Sequence, residues 1–232
     1  MKHAQPQGLS RRRVEQLLAK MHSERPVGKR MGIFSRRFLG CPYALNPLVG
    51  SRSEAEKFVA SLDGFDCVTY VETILALSRA SSADEFDDWL RKIRYQSGTV
   101  RWIRRNHYMI LWIRSNQRGK QPLKIIAPDG VRNVVKERLL HELPGLPPGP
   151  IRFECIPKPA IRKLEPHVQT GDLIFFVSTR ANLDIFHCGI LVRDEKHLLL
   201  RHASRSKGGV VEQDLNDFLK ANRMAGVIVV RP

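Results

Sequence analysis

Among the side chains able to act as nucleophiles, Cys67 has the most telling position. The run Gly64-Phe65-Asp66-Cys67-Val68-Thr69-Tyr70-Val71-Glu72 predicts a helix start, with Asp66 as N-cap and Cys67 in the first turn. Unpaired N–H groups and the helix dipole stabilise negative charge at that end. A thiol there loses its proton more readily, and the thiolate is the nucleophile. The same N–H groups suit an oxyanion. A lone cysteine is more commonly a small apolar core residue, and position alone favours that reading. Cys41, Cys155 and Cys188 are scattered and make no CxxC pair. Neither a disulfide framework nor a structural zinc site is therefore expected.

The second half of the chain changes the balance. Phe186-His187-Cys188-Gly189-Ile190-Leu191-Val192 and His197-Leu198-Leu199-Leu200-Arg201-His202-Ala203-Ser204 read as two strands joined around Asp194 and Glu195. If Arg193 pairs with Lys196, the same register sets His187 directly opposite His202. Directly opposed Cβ atoms lie about 5 Å apart, which suits one imidazole orienting another. Leu191, Leu198 and Leu200 share that face, which is expected to pack on the Cys67 helix. A slip of one residue would move one histidine to the other face. Either histidine alone reads as an ordinary surface residue; their facing on a leucine-lined surface favours function. A zinc site from His187, Cys188 and His202 is disfavoured, because Cys188 must point away from its neighbour His187. No metal and no cofactor is expected.

The elements that must position these groups follow from periodicity. Ser10 is expected to cap a helix with Val14, Leu17, Leu18 and Met21 on one face. Positions 28–51 read as irregular, punctuated by prolines. Ser53 with Glu56 forms a capping-box pattern ahead of Ala55, Phe58, Val59 and Leu62, predicting a helix. Asp66 to Ala80 predicts the Cys67 helix, and Ser82 with Glu85 opens another that carries Phe86, Leu90 and Ile93. Positions 117–159 hold many prolines and little periodicity, and read as an extended loop. Short β-rich runs then follow at Leu173–Val177, Cys188–Val192, Leu198–His202, Val210–Glu212 and Val227–Val230. Helices first and strands later argue for an α+β fold. The length suits one domain, 1–232, with an N-terminal helical extension over about 1–50 and a proline-rich insertion over about 117–160.

Hydrophobic residues make up 42% of the chain, enough for a packed core, and no apolar run reaches membrane-spanning length. The first residues are polar and lead into Arg11, Arg12 and Arg13, without the apolar core of a secretory signal. At face value this places the chain in the cytoplasm, or in the envelope or periplasm if a leader was removed. A net charge of +16 favours anionic partners, either nucleic acid or acidic cell-wall fragments. Aromatic residues are only 7% and no nucleic-acid reading motif is recognisable, which weakens the first.

Phe65-Asp66-Cys67, Gly171-Asp172-Leu173-Ile174-Phe175-Phe176, His187-Cys188-Gly189-Ile190 and His202-Ala203-Ser204 resemble the ordered motifs of NlpC/p60 cysteine peptidases. Gly40-Cys41-Pro42-Tyr43 is similar to the Gly-x-Pro-Tyr that precedes the nucleophile there. The whole-chain pattern is closer to the N-acetylmuramoyl-L-alanine amidase-like branch. That likeness rests on Asp66 to Glu72, Asn106-His107-Tyr108, Leu183-Asp184-Ile185-Phe186-His187 and Gly226-Val227-Ile228-Val229-Val230-Arg231. Where that branch usually has a hydroxyl–arginine pair before its His-Tyr, this chain has Arg105-Asn106.

The resemblance implies a papain-like core, with a nucleophile helix packed on a C-terminal antiparallel sheet. It implies hydrolysis of the N-acetylmuramoyl–L-alanine bond of muropeptides, with Cys67 as nucleophile, His187 as base and His202 as the orienting third member. Tyr43, Asp66, Asn106, His107, Tyr108 and Ser204 are the implied substrate-binding set. Arg104 and Arg105 are candidates to hold substrate carboxylates, or simply a solvated face. The expected partner is a muropeptide or peptidoglycan fragment, bound by a monomer. The alternatives are an endopeptidase cutting D-glutamate–diamino acid bonds on the same core, and a basic nucleic-acid-binding module.

Overall fold

The computed structural model describes residues 7–21, 26–141, 146, 149–194 and 197–232. Its helices are α1 (Gln7–Ala19), α2 (Val27–Arg37), α3 (Cys67–Arg79), α4 (Ala83–Arg94), α5 (Met109–Asn116) and α6 (Leu215–Ala221). Its strands are β1 (Lys124–Ile125), β2 (Val134–Leu140), β3 (Gly149–Pro157), β4 (Leu173–Val177), β5 (Ile185–Arg193), β6 (Leu198–Ser204), β7 (Gly209–Asp214) and β8 (Gly226–Arg231). They form one eight-stranded sheet in the order β2-β3-β8-β4-β5-β6-β7, with β1 also on β8 and every pairing antiparallel. The α+β class is therefore as the order of patterns predicts. No described helix is long and apolar enough to cross a membrane.

The sheet is covered on both faces, and β4 shows how. Leu173, Phe175 and Val177 point into a core shared with α1 to α5. Ile174 and Phe176 point into a second core with α6 and a 3-10 segment at Lys158–His167. Alternation of side chains along a strand requires such a split, and double coverage makes the strand read as a continuous apolar run. Leu191, Leu198 and Leu200 belong to the second core, while Cys188 and Ile190 face α3. The leucine-lined histidine face thus packs under α6, not on the Cys67 helix as the sequence suggests.

Several elements depart from the sequence pattern for identifiable reasons. The Ser53–Glu56 box opens no helix: the Glu56 side chain is buried and paired with Arg105, and it also accepts a hydrogen bond from the Tyr95 hydroxyl at 2.7 Å. A tertiary ion pair captures the carboxylate that a capping box would use. Positions 28–51, expected to be irregular, contain most of α2. Its Gly32 serves close packing rather than a turn, since a Cβ there would lie 2.6 Å from Thr170 Cγ2. The stretch expected as an extended loop holds β1, β2 and β3; its Pro144, Pro147 and Pro148 lie outside the described residues. Ser10 lies inside α1 rather than ahead of it. The helices at Cys67 and Ser82 begin where their caps predict.

The helical layer is tied together by a buried ion pair. Glu72 on α3 accepts from Arg94 Nε on α4 at 2.7 Å and from Trp112 Nε1 on α5 at 3.1 Å. Both charged side chains are 2% exposed. Removing one partner leaves the other charge buried and unpaired, so Glu72→Ala should cost about 3–5 kcal/mol. Equilibrium denaturant unfolding measures this, and a loss below about 1 kcal/mol, the range of exposed pairs, would contradict it.

Candidate active site

The start of α3 is fixed by a reciprocal capping box. Asp66 Oδ1 accepts from the Thr69 N–H at 2.7 Å, and Thr69 Oγ1 accepts from the Asp66 N–H at 3.0 Å. Cys67 is thereby the first helical residue. Thr69 N–H is used by the cap, and Tyr70 N–H bonds the Asp66 carbonyl at 3.0 Å. The N–H groups of Cys67 and Val68 are left without a hydrogen bond to any described residue.

This helix end meets the beginning of β5. β5 pairs with β6 only from Ile190 onward, so Ile185–Gly189 is unpaired on that side. On the other side, a bulge at Phe186 separates the pairs Phe176–His187 and Val177–Ile185. The Cys67 sulfur lies against this irregular stretch. Its pKa is held well below the usual thiol range, first by a hydrogen bond from the Cys188 side chain; burial opposes this, and the His187 ring and Cys188 backbone add to it. Cys41 and Cys155 move the other way, pushed up by burial. Cys188 is pushed well up, first by its hydrogen bond to Cys67 and then by burial.

His187 and His202 are brought together, through a different register from the expected one. Arg193 pairs with Leu198 and Ile190 with Arg201, so the connection is Asp194–His197, longer than the two-residue turn. Glu195 and Lys196, part of the expected turn, lie outside the described residues. His187 is consequently diagonal to His202. The offset is an even number of residues, so both histidines stay on one face. A diagonal separation of about 7–8 Å is within reach of long side chains. Gly189 faces His202, and a Cβ at 189 would lie 3.1 Å from His202 Cβ and 2.6 Å from Leu200 Cδ1. Glycine there leaves room for the imidazole to lean across.

The rings are perpendicular, with His187 Nε2 2.6 Å from His202 Nδ1. Phe176 and Phe218 stack on His187 at centroid distances of 6.1 and 5.5 Å. His202 is 2% exposed; burial, then the neighbouring His187, pushes its pKa down to about 4, against a hydrogen bond to Gln213 that raises it. A neutral His202 offering Nδ1 as acceptor holds His187 in the Nε2–H tautomer. The Nδ1 of His187 is then the nitrogen available to the Cys67 thiol.

Cys67, His187 and Cys188 line a cleft of about 250 Å³ with Val68, His107, Tyr108 and the segment Leu183–Phe186. Of the anticipated substrate-binding residues, His107 and Tyr108 are in it. His107 is fixed by its Nε2 at 2.7 Å from the Trp102 carbonyl and by an edge contact with Trp102, and burial lowers its pKa. Tyr108 is 7% exposed, and its hydroxyl has no partner among the described residues. Tyr43 borders the site: its backbone bridges Phe65 and Gly208, and burial, then the charges of Cys67 and Asp66, raise its pKa. Asp66 is the helix cap; burial, then the Cys67 charge, push it up to about 6 against its bonds from Thr69.

Other anticipated residues have structural duties. Asn106 is buried with its amide on the Ile93 carbonyl and is not among the cleft-lining residues. Ser204 accepts from the Lys207 N–H at 3.4 Å, shaping the β6–β7 turn whose Gly208 carbonyl anchors Tyr43. Arg105 is occupied by Glu56 at 2.5 Å, which leaves Arg104 as the exposed arginine of that pair.

The sequence reading assigned no role to Asp184 or Cys188. Asp184 is buried and accepts from Ile110 N–H and Ile185 N–H, both at 2.8 Å. It caps the first turn of α5 from outside and pins Tyr108 beside the His187 strand. The Leu183-Asp184-Ile185-Phe186-His187 run was its only signal. A larger groove of about 750 Å³ lies near the other end of β5, lined by Lys29, Arg36, Arg37, Arg193 and Arg201. Its Arg193 is about 20 Å along the strand from His187, and no cysteine or histidine lines it.

A thiol depressed by hydrogen bonding, an imidazole beside it and a second imidazole fixing the first make a nucleophile–base–orienter arrangement suited to acyl transfer. Comparison with known proteins places the chain in an amidase-like family. Residues 33–227 match the AmiA-like, N-acetylmuramoyl-L-alanine amidase-like family, and the chain belongs to that family. Protein LPG0564 from Legionella pneumophila shares the fold at a TM-score of 0.83 and 23% identity, over 97% of this chain and 95% of that one. An N-acetylmuramoyl-L-alanine amidase from Bacteroides uniformis is similar at a TM-score of 0.76 and 27% identity, over 88% of this chain and 98% of that one. No curated protein matches the chain.

Two outcomes follow from the electrostatics. Cys67 should react with iodoacetamide at neutral pH roughly tenfold or more faster than Cys41, Cys155 or Cys188, since each unit of lowered pKa multiplies thiolate about tenfold. Peptide mapping at partial labelling reads this, and equal labelling of the four would refute it. The second concerns stability. An unfolded histidine takes its proton as the pH falls through 6.5, whereas folded His202 resists until about 4. Stability from this group is complete above the first value and is lost as pH falls between the two. Melting temperature should therefore drop further between neutral pH and pH 4 in the wild type than in His202→Asn; parallel curves would show that His202 does not titrate this way.

Proposed function

We propose that the chain hydrolyses the amide bond between N-acetylmuramic acid and L-alanine in peptidoglycan fragments, with Cys67 as nucleophile, His187 as general base and His202 as the group that orients it. The observation that carries this reading is the junction of the α3 first turn with His187, itself held 2.6 Å from His202. Membership of an amidase-like family supports the substrate class. A thiol-bearing helix packed on an antiparallel sheet that bears the imidazoles also fits the papain-like NlpC/p60 arrangement.

In this mechanism His187 Nδ1 takes the Cys67 proton and the thiolate attacks the lactyl carbonyl carbon. The free N–H groups of Cys67 and Val68 meet the developing oxyanion. Protonated His187 then donates to the departing L-alanine amine, leaving a thioester. Water, deprotonated by His187, cleaves the thioester and restores the thiol. The unpartnered Tyr108 hydroxyl serves as a hydrogen-bonding group for substrate, and the fixed His107 ring forms part of the sugar-side wall.

The test is product analysis with N-acetylmuramoyl-L-Ala-D-Glu-diamino acid. Release of the intact tripeptide with a free L-alanine amine is expected. Release of the diamino acid alone, with sugar still on L-Ala-D-Glu, would instead make the protein an endopeptidase. Cys67→Ala should abolish turnover, and His187→Ala should lower it by about 10²–10⁴. His202→Ala should be less severe and His202→Asn milder still, because an amide can also orient the ring. Tyr108→Phe should reduce kcat/KM about fivefold, the effect of one neutral hydrogen bond.

A further inference from the structure

The proposed hydrolysis uses one thiol, yet a second thiol touches the backbone of the same residue. Cys188 Sγ lies 3.2 Å from the Cys67 carbonyl oxygen and is 1% exposed, under the first turn of α3. It faces the helix, whereas its neighbour His187 contacts Phe176, Phe218 and His202 on the other side of the strand. An alanine or valine would fill that place without a polar hydrogen. The other two cysteines are elsewhere: Cys41 donates to the Leu62 carbonyl, and Cys155 lies on β3 beside Gly226.

We propose that Cys67 and Cys188 form a two-thiol oxidation site, in which a hydroperoxide converts Cys67 to a sulfenic acid and Cys188 closes it to a disulfide. The inference rests on Cys67 being the reactive thiol. Cys67 is partly exposed at the cleft, so a small hydroperoxide reaches it; Cys188 also borders the cleft but is only 1% exposed, so Cys67 meets the oxidant first. The Cys67 thiolate attacks the outer oxygen of ROOH, an S–O bond forms as the O–O bond breaks, and the alkoxide leaves as ROH after taking a proton. The Cys188 sulfur then attacks the Cys67 sulfur. An S–S bond forms, the S–O bond breaks, and the departing hydroxide takes the Cys188 proton as water. Two thiols lose two electrons and the hydroperoxide gains them.

The resting site keeps these steps in order. The Cys67 thiolate holds Cys188 protonated through their hydrogen bond and its charge. Oxidation to the neutral sulfenic acid removes that charge and frees Cys188 to act as the resolving thiol. Closure removes the nucleophile reversibly, and it pre-empts the sulfinic acid, which thiol reductants do not reverse.

The experiment treats the full-length protein with hydrogen peroxide, blocks free thiols under denaturing conditions and maps peptides by mass spectrometry. A Cys67–Cys188 linked peptide, lighter by two hydrogens than the free pair and lost on dithiothreitol treatment, is expected. In Cys188→Ser the linked peptide should vanish and Cys67 should accumulate as sulfinic acid; Cys41→Ser and Cys155→Ser should leave the link intact. Wild type that forms sulfinic Cys67 without any linked peptide overturns the proposal, even if Cys188→Ser does not fold. The readout is independent of turnover, so a linked peptide in a protein that fails to cleave muropeptide would refute the proposed hydrolysis and leave the oxidation site standing.

Discussion

The Asp66–Thr69 capping box decides where α3 begins, and the chemistry of the cleft depends on that start. Were the helix to begin a residue later, Cys67 would leave the first turn. Its sulfur would then lose the local dipole and the neighbouring free N–H groups. The same cap places a carboxyl beside the thiol. That carboxyl is raised to about 6, so its negative charge next to the thiolate diminishes as the pH falls through that value. A helix start that must be both well capped and close to a nucleophile is a compromise between stability and reactivity.

What the helix end meets is an interrupted strand. A fully paired β5 would present only one side-chain face to α3, and adjacent residues could not both serve Cys67. Because β6 pairing begins only at Ile190 and a bulge sits at Phe186, the sulfur is approached by the Cys188 thiol, the Cys188 N–H and the His187 ring together. Irregular pairing next to a reactive group is a recurrent use of bulges. Regular ladders on either side of this gap keep it rigid. β4 pairs with β5 and β8, and β6 with β7, through residues buried in the two cores.

The walls of the cleft are held by charges kept out of water. Glu72 joins α3, α4 and α5 through Arg94 and Trp112. Glu56 joins the segment before α3 to Arg105 and Tyr95. Asp184 joins α5 to β5. Each carboxylate has its hydrogen bonds satisfied, which is the condition under which buried charge holds a defined geometry rather than simply destabilising the fold. Arg105 and Asn106 sit immediately before His107 and Tyr108, so their structural bonds present those two residues to the cleft.

The sequence by itself determined what is local. The caps at Asp66 and Ser82, the apolar runs of β4 and β8, and the presence of Cys67 in a first turn follow from short-range chemistry that tertiary packing did not override. The motif order was enough to indicate an amidase-like family. Tertiary structure decided what depends on distant partners. Glu56 became an ion-pair partner instead of a helix cap because Arg105 is brought to it. α2 formed despite its glycines because the Gly171 turn packs against them. The histidines met diagonally rather than squarely, because the length of the Asp194–His197 connection sets the register. Both histidines stayed on one face because side chains alternate with a period of two, a property that the sequence does carry. Which face met α3, and therefore that Cys188 touches Cys67, was settled only by how helix and sheet pack.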